Sequence, residues 1–223
     1  ITFINNSSLG CDGTTVDNND VLSYYWDFGN CYRDSIIITN PNSPGIDPFP
    51  GYTYAYPQAG IYTVKLIASS FCPPPDTASR QVRVNQSPNA TASGGNVCLN
   101  QTTSFTATVS KKPQFTRIDT CGNNILVPEG GEIATYSWSM TNGPLGNYIN
   151  GTVPDDLDVE FEFNSCGIHQ VSFTVIDENG CDTTIYIDVE VYDLPNPILD
   201  ISSNSICSGD AIDIIDNSNN NSS

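Results

Sequence analysis

The sequence has few basic side chains and no pattern typical of a helix. Seven Lys plus Arg stand against 25 Asp plus Glu, which gives a formal net charge of −18 over 223 residues. This charge opposes binding to nucleic acid or to an anionic membrane surface, so we expect neither as a partner. There is no run of about 20 apolar residues for membrane insertion and no cationic, apolar leader. Abundant Asn, Ser, Thr, Gly and Pro instead predict an all-β chain of short strands and many turns.

Residue types suited to catalysis are also scarce. The only His, His169, falls in a predicted strand, and no Cys-x-x-Cys spacing occurs among the eight cysteines. Neither a nucleophile triad nor a structural zinc site is therefore expected, and we predict no catalytic residue, no enzyme activity and no cofactor. One alternative stays open, which is Ca²⁺ bound by Asp27 or by acidic neighbours such as Asp155 and Asp156 instead of simple solvated charge.

Two aromatic strand patterns recur along the chain and organise the rest of it. Residues 24–30 (YYWDFGN) are followed by residues 54–66, in which Tyr62, Val64 and Leu66 alternate with Thr63 and Lys65. A period of two places one face of a strand in a core and the other near water. Residues 136–142 and 161–175 repeat the pair. We therefore predict tandem immunoglobulin-like β-sandwiches in which Trp26 and Trp138 are buried at equivalent places.

The first aromatic pair also carries a family resemblance. The residues Trp26-Asp27-Phe28-Gly29-Asn30, with a downstream Tyr-x-Tyr-x-x-x-Gly-x-Tyr-Thr-Val at 54–64, resemble the PKD family of β-sandwich modules. The first copy departs from the family's Trp-Asp-Phe-Gly-Asp-Gly at Asn30 and Cys31, and the second copy keeps only Trp138. The resemblance implies a PKD-like fold for both copies.

The resemblance also implies a setting and a role. Disulfide-stapled tandem modules with Gly-Cys hairpins are similar to the repeats of giant cell-surface adhesins of gliding Bacteroidota. A non-catalytic, extracellular or cell-surface spacer in adhesion or gliding motility is therefore expected. Its partners would be neighbouring modules of the same chain, surface polysaccharide or other cell-surface proteins. The alternative is an accessory PKD region of a secreted glycoside hydrolase or peptidase.

The order of strands and prolines predicts the domain boundaries. Pro interrupts the strand pattern at residues 85–88 and again at 193–197, because it cannot serve a central strand. The predicted division is 1–86, a module that lacks its first strand; 87–194, a module with a long insertion at 111–132; and 195–223, the first strands of a third, truncated module.

Eight cysteines in an acidic chain favour an oxidising, extracellular compartment. In a sandwich, a strand of about 8 residues separates the two loop ends by roughly 26 Å, whereas bridged Cα atoms lie within about 7 Å of each other. Only cysteines at one end can then pair. The predicted pairs are Cys11–Cys72, Cys121–Cys181 and Cys98–Cys166, with Cys31 and Cys207 left to pair outside the sequence. A competing bond from Cys98 to Cys181 would join opposite ends.

Three Asp-Ser/Thr tripeptides suggest a modification. Asp34-Ser35-Ile36, Asp76-Thr77-Ala78 and Asp182-Thr183-Thr184 resemble the sites at which Bacteroidota attach O-linked sugar to exported proteins. Thr77 and Thr183 fall near equivalent predicted hairpins, where a bulky sugar would meet no packed neighbour. Ser35, Thr77 and Thr183 are therefore candidate O-glycosylation sites.

Overall fold

The computed structural model describes residues 1–7, 21–39, 46–47, 49–69, 74–140 and 146–218. Within them the chain forms 18 β-strands and no helix, which confirms the all-β prediction. None of this described part offers a helix with the length and hydropathy of a membrane span. Contacts divide the chain into two compact units, Ile1–Ser87 with Lys111–Gly131, and Pro88–Ser110 with Glu132–Ser223.

Six strands of the first unit come from its N-terminal part. They are β1 (Thr2–Phe3), β2 (Val21–Asp27), β3 (Arg33–Thr39), β4 (Tyr52–Thr53), β5 (Gly60–Ser69) and β6 (Asp76–Val84). One sheet has the order β3-β2-β5-β6, and β1 pairs with β4 in a second, short sheet. Trp26 of β2 lies opposite Leu66 of β5 in the antiparallel register. This pairing is the predicted one between the tryptophan strand and the Tyr-x-Val-x-Leu strand.

Alternation along β2 and β5 builds the core of the first sandwich. Leu22, Tyr24 and Trp26 are buried on β2, and Tyr62, Val64 and Leu66 are buried on β5. The intervening Thr63 and Lys65 are exposed, as a period of two requires. Trp26, at 3 % exposure, packs on Phe28 with ring centroids 6.1 Å apart. The prediction of a buried Trp26 is confirmed.

The chain then passes through both units before it completes the second sandwich. In the second unit it forms β7 (Asn89–Gly94), β8 (Val97–Cys98) and β9 (Thr102–Ser110). It next forms the hairpin β10 (Phe115–Ile118) and β11 (Asn124–Val127), which belongs to the first unit. The remaining strands are β12 (Ile133–Met140), β13 (Gly146–Tyr148), β14 (Asp158–Phe163), β15 (Gly167–Asp177), β16 (Asp182–Tyr192), β17 (Leu199–Ile201) and β18 (Ile214–Asp216).

The second unit is an immunoglobulin-like β-sandwich by its own strand order. One sheet runs β13-β14-β9-β7 and the other β12-β15-β16-β8. With β7, β9, β12, β13, β14, β15 and β16 named A to G, these are the ABED and CFG sheets of the constant-type immunoglobulin fold, with β8 added beside G. Trp138 of β12 lies opposite Phe173 of β15 and is 2 % exposed. The two tryptophans thus occupy equivalent places, as predicted.

The insertion predicted at 111–132 lies between the second and third strands of the second sandwich, but it does not stay with that sandwich. Its residues Lys111–Gly131 pack in the first unit, so its assignment to the second module is wrong. The first boundary falls between Ser87 and Pro88. The strands β17 and β18 pair with each other and fall within the second unit by contacts, and the third module stays a prediction.

Candidate functional site

The β10–β11 hairpin is the most elaborate feature of the first unit, and a disulfide anchors its tip. Cys31, just after β2, is bonded to Cys121 in the turn between β10 and β11, with Cα atoms 5.9 Å apart and a sequence separation of 90. That Cα distance lies in the ordinary range for a disulfide. The predicted bond from Cys121 to Cys181 is wrong, and so is the prediction that Cys31 pairs outside the sequence.

The turn that carries Cys121 is closed by one carboxylate. Asp119 accepts backbone hydrogen bonds from Cys121 at 2.9 Å and from Asn123 at 2.8 Å, and a third from the Asn123 side-chain amide at 3.0 Å. The Asn123 amide is the largest cause that holds the pKa of Asp119 below its usual value. Gly122 completes the turn at φ +83°, where a side chain would be strained. The Asx-type turn therefore presents Cys121 at the hairpin tip.

Apolar contacts fasten the body of the hairpin. Ile125 and Val127 of β11 are 5 % and 2 % exposed, respectively. At Gly60, a Cβ would lie 2.6 Å from the Ile125 Cγ2 atom, so a larger residue would push the hairpin away. Burial of two such aliphatic side chains contributes about 1.5–3 kcal/mol each.

A buried amide closes the base of the hairpin. Gln86, 6 % exposed, donates from Nε2 to the carbonyl oxygens of Pro113 at 3.1 Å and Pro128 at 2.7 Å. One side chain therefore ties together the residues that precede β10 and follow β11. A backbone bond from Gly130 N–H to the Lys112 carbonyl, at 2.9 Å, adds to the same closure.

A polar contact joins the hairpin to the core of the first sandwich. Arg117 Nη2 donates to the Tyr62 hydroxyl at 2.6 Å, and that hydroxyl donates to the Gln58 carbonyl at 2.8 Å. Tyr62 is 1 % exposed, and burial raises the pKa of its phenol while Arg117 opposes the rise. A buried hydroxyl without hydrogen-bond partners destabilises a fold. Arg117 of the hairpin therefore helps to satisfy the hydroxyl of a core residue.

Aromatic rings extend from this contact toward Cys31. Tyr62 stacks on Tyr56 with centroids 4.5 Å apart, Tyr54 meets Tyr56 edge-on at 4.9 Å, and Tyr32 stacks on Tyr54 at 4.9 Å. Asn30 stands where the resembled motif has Asp, and its side-chain amide donates to the Tyr54 hydroxyl at 2.9 Å. The residues on both sides of Cys31 are thus held by the same row of rings that ends at Arg117.

The candidate metal residue Asp27 has protein partners for both oxygens. Its Oδ1 accepts the Gly29 N–H at 2.9 Å, and its Oδ2 forms an ion pair with Arg33 Nε at 3.2 Å. Asp119 also lies close to the sulfurs of Cys31 and Cys121, but those sulfurs are bonded to each other and offer no thiolate to a metal. Asp27 and Asp119 are therefore used in local turns.

The predicted bond from Cys98 to Cys166 is also wrong, since both thiols are free and exposed. The two loops do share an end, because the Asn100 N–H donates to the Phe163 carbonyl at 3.4 Å. However, Cys98 lies opposite Tyr192 of β16, while Cys166 lies just before β15 on the other side of β16. Two strand spacings separate the Cα atoms by about 10 Å, which is beyond reach of a disulfide.

The remaining cysteine predictions have separate outcomes. Cys181 is free and directly precedes β16, whereas Cys98 pairs with the far end of that strand. Cys98 and Cys181 therefore lie at opposite ends and are not bonded, as predicted. Cys207 is free and exposed. The predicted Cys11–Cys72 bond lies outside the described residues, as both cysteines fall in segments that the structure does not describe.

The three candidate glycosylation sites differ in their surroundings. Ser35 on β3 and Thr77 on β6 are exposed on strands at opposite edges of one sheet. Thr183 is half-buried on β16, and its hydroxyl donates to the Pro88 carbonyl at 2.7 Å. The expectation that Thr183 meets no packed neighbour is therefore wrong, because its oxygen already closes a contact to the residue that starts the second unit.

The only His has a structural environment. His169 is 6 % exposed, its Nε2 lies 2.8 Å from the Ser165 carbonyl, and its ring stacks on Phe163 at 5.1 Å. Neither contact is with a nucleophile or a carboxylate.

No known protein-family profile and no curated protein matches the sequence. Similar solved structures include the fibronectin(III)-like modules of CbhA from Clostridium thermocellum, at 14 % identity and a TM-score of 0.30, covering 86 % of this chain and 95 % of that one. Another is the amphioxus IgVJ-C2 molecule, at 13 % identity and a TM-score of 0.27, with the same two coverages. The fold rests on the strand order described above, which defines immunoglobulin-like β-sandwich modules.

Proposed function

We propose that this chain is a non-catalytic structural segment of a secreted or surface-anchored protein. It would act as a disulfide-stapled spacer built of PKD-like modules, in cell-surface adhesion or gliding motility of Bacteroidota. Its partners would be neighbouring modules of the same chain, with surface polysaccharide or other cell-surface proteins as targets of the assembly.

The observation that carries this proposal is the Cys31–Cys121 bond. The bond lies within the first unit and holds there the segment Lys111–Gly131, which connects two strands of the second sandwich. The chain crosses between the units at Ser87/Pro88, Ser110/Lys111 and Gly131/Glu132. Three covalent crossings and a disulfide suit a segment whose task is to stay assembled outside the cell, where disulfides persist.

The polar side chains of the described part support the same interpretation. Asp27, Asp119 and Gln86 all satisfy backbone groups or an ion pair of the fold. Such groups stabilise loops of the fold, which is the role expected of them in a structural segment.

Small-angle scattering and activity assays on the oxidised chain test the proposal together. A spacer should have a radius of gyration well above the roughly 17 Å of a compact globule of this length, and it should hydrolyse neither polysaccharide nor peptide substrates. A radius near the compact value, or hydrolysis that co-purifies with the chain and survives dilution, would contradict it.

A further inference from the structure

The Cys31–Cys121 bond provides a short covalent route through the chain. Tension applied to the two ends of a polypeptide is carried by its covalent bonds. At Cys31 that tension can pass through the disulfide directly to Cys121, which lies 90 residues further along. The intervening residues form a closed loop and bear no end-to-end tension while the bond is intact.

The bypassed loop contains strands of both sandwiches. In the first unit it includes β3, β4, β5, β6 and β10, and in the second it includes β7, β8 and β9. Among them, β3, β6 and β7 are edge strands of their sheets, which have a partner on one side only. The tension route instead runs through β1 and β2, crosses the disulfide, and continues through β11 and β12.

The elements left on the route have unequal support. The strand β1 is held to β4 by only two residue pairs, Thr2↔Thr53 and Phe3↔Tyr52. The strand β2 is central in its sheet, paired along its whole length with β3 and over Ser23–Asp27 with β5. Next to the disulfide, β11 is held by Ile125 and Val127 in the core. The route therefore enters and leaves the bond through well-anchored strands.

We propose that the Cys31–Cys121 disulfide is a redox-controlled tension bypass, which shields the 90-residue loop from force and limits the length to which the chain can be drawn out. At about 3.3–3.6 Å per extended residue, the bond withholds about 300 Å of contour length. This property goes beyond the spacer role and does not depend on it.

A small dithiol is the chemical partner that would release the bypass. Its thiolate attacks one sulfur of the bond, and its second thiol then closes an intramolecular disulfide. The dithiol loses two electrons and two protons, and Cys31 and Cys121 gain them as two thiols. Cys121 is exposed and Cys31 is half-exposed, so the bond is open to attack.

Single-molecule stretching of the full chain, held at both termini, tests the proposal. All variants carry Cys11→Ser and Cys72→Ser, so that a bond between those two cannot alter the tension route. We expect the oxidised chain to reach a final contour about 300 Å shorter than the same chain with Cys31→Ser and Cys121→Ser. Adding dithiothreitol to the oxidised chain should restore the missing length.

The matched control replaces Cys98 and Cys166, two unbonded thiols, with Ser. Its oxidised contour should equal that of the parent. Equal contours for the parent and the Cys31→Ser, Cys121→Ser chain would overturn the proposal. So would a non-reducing peptide map of the wild-type chain in which Cys31 and Cys121 are not linked, a measurement that needs no variant to fold.

Discussion

Arg117 lies 55 residues after Tyr62 in the sequence, yet its Nη2 atom donates a 2.6 Å hydrogen bond to the Tyr62 hydroxyl. This contact joins the inserted hairpin to a tyrosine that is 1 % exposed in the core of the first sandwich. The phenol is buried while Arg117 is half-buried, and loss of either group would leave a hydrogen-bonding group of the other without this partner.

Tyr62→Phe should destabilise the first unit by about 1–3 kcal/mol, because it leaves the Arg117 guanidinium and the Gln58 carbonyl short of a partner. Urea unfolding followed by circular dichroism measures the change. Tyr25→Phe, at a half-exposed position of β2, is the matched control and should shift stability by less than about 0.5 kcal/mol. Equal effects of the two substitutions would show that the Arg117 contact contributes nothing.

Removal of the disulfide by Cys31→Ser with Cys121→Ser should lower the free energy of unfolding by about 4–5 kcal/mol, the chain-entropy value for a loop of this length. Equilibrium unfolding in urea without reductant gives the difference. The double substitution Cys98→Ser with Cys166→Ser breaks no bond and should be nearly neutral. A small effect of the first pair, comparable with the second, would contradict the prediction.

Cys31 itself has φ 72°, in the left-handed region that favours glycine. In a Cys121→Ser chain, where no crosslink forms, Cys31→Gly should therefore be more stable than Cys31→Ser by about 1 kcal/mol. At Ser35 in the extended strand β3 the order should reverse, with Ser35→Gly less stable than the parent by about 0.5–1 kcal/mol. Thermal unfolding of the four proteins compares them, and a Cys31→Gly chain no more stable than its Ser counterpart would refute the strain argument.

Cys181 should react slowly with thiol reagents. Burial is the largest cause that raises its pKa, and the charges of Asp177 and Asp182 add to it. Because a raised pKa leaves less thiolate at a given pH, alkylation at pH 8 should be slower at Cys181 than at exposed Cys207, and it should accelerate as the pH rises. Peptide mass spectrometry after timed exposure to iodoacetamide measures both rates.

The substitution Asp182→Asn removes one of the charges that raise the Cys181 pKa. Alkylation of Cys181 should then be faster, while the rate at Cys207 stays unchanged. Equal Cys181 rates in the two chains would assign its slow reaction to burial alone.

In material from the native host, we predict O-linked sugar on Ser35 and Thr77 but not on Thr183. The first two side chains are exposed, whereas the Thr183 hydroxyl is committed to the Pro88 carbonyl. Glycopeptide mass spectrometry locates the sugars. Occupancy of Thr183 equal to that of Thr77 would mean that its contact opens before modification, and bare peptide at all three would end the prediction.

Much of each sandwich could be predicted because the signals are local. The alternation in residues 62–66 and the repeated tryptophan depend only on the period of two that any half-buried strand imposes. The equivalent burial of Trp26 and Trp138 followed from that repetition. The same reasoning could not locate Cys121, because sequence order says where an insertion starts and ends but not which residues its tip contacts.

The rule that loops at one end of a sandwich lie together was right for the C-terminal end of the insertion and wrong for its tip. The Glu178 N–H donates to the Glu132 carbonyl at 2.9 Å, so the end of the insertion does lie beside the hairpin between β15 and β16. Cys121, 11 residues earlier, is held elsewhere by its bond to Cys31. One signal was available, because Cys31 stands where the resembled motif has a glycine. A glycine there indicates a turn of the backbone, and the motif itself does not explain a cysteine at that position.

The sequence by itself determined the strands, the two aromatic cores and the negative charge, because these follow from the identity and spacing of neighbouring residues. Tertiary structure alone decided which cysteines meet, which unit receives the inserted hairpin, and that Arg117 satisfies Tyr62. Those outcomes depend on distances between residues far apart in the chain. Two strand spacings, about 10 Å in all, keep Cys98 out of reach of Cys166, and no local sequence pattern shows that separation.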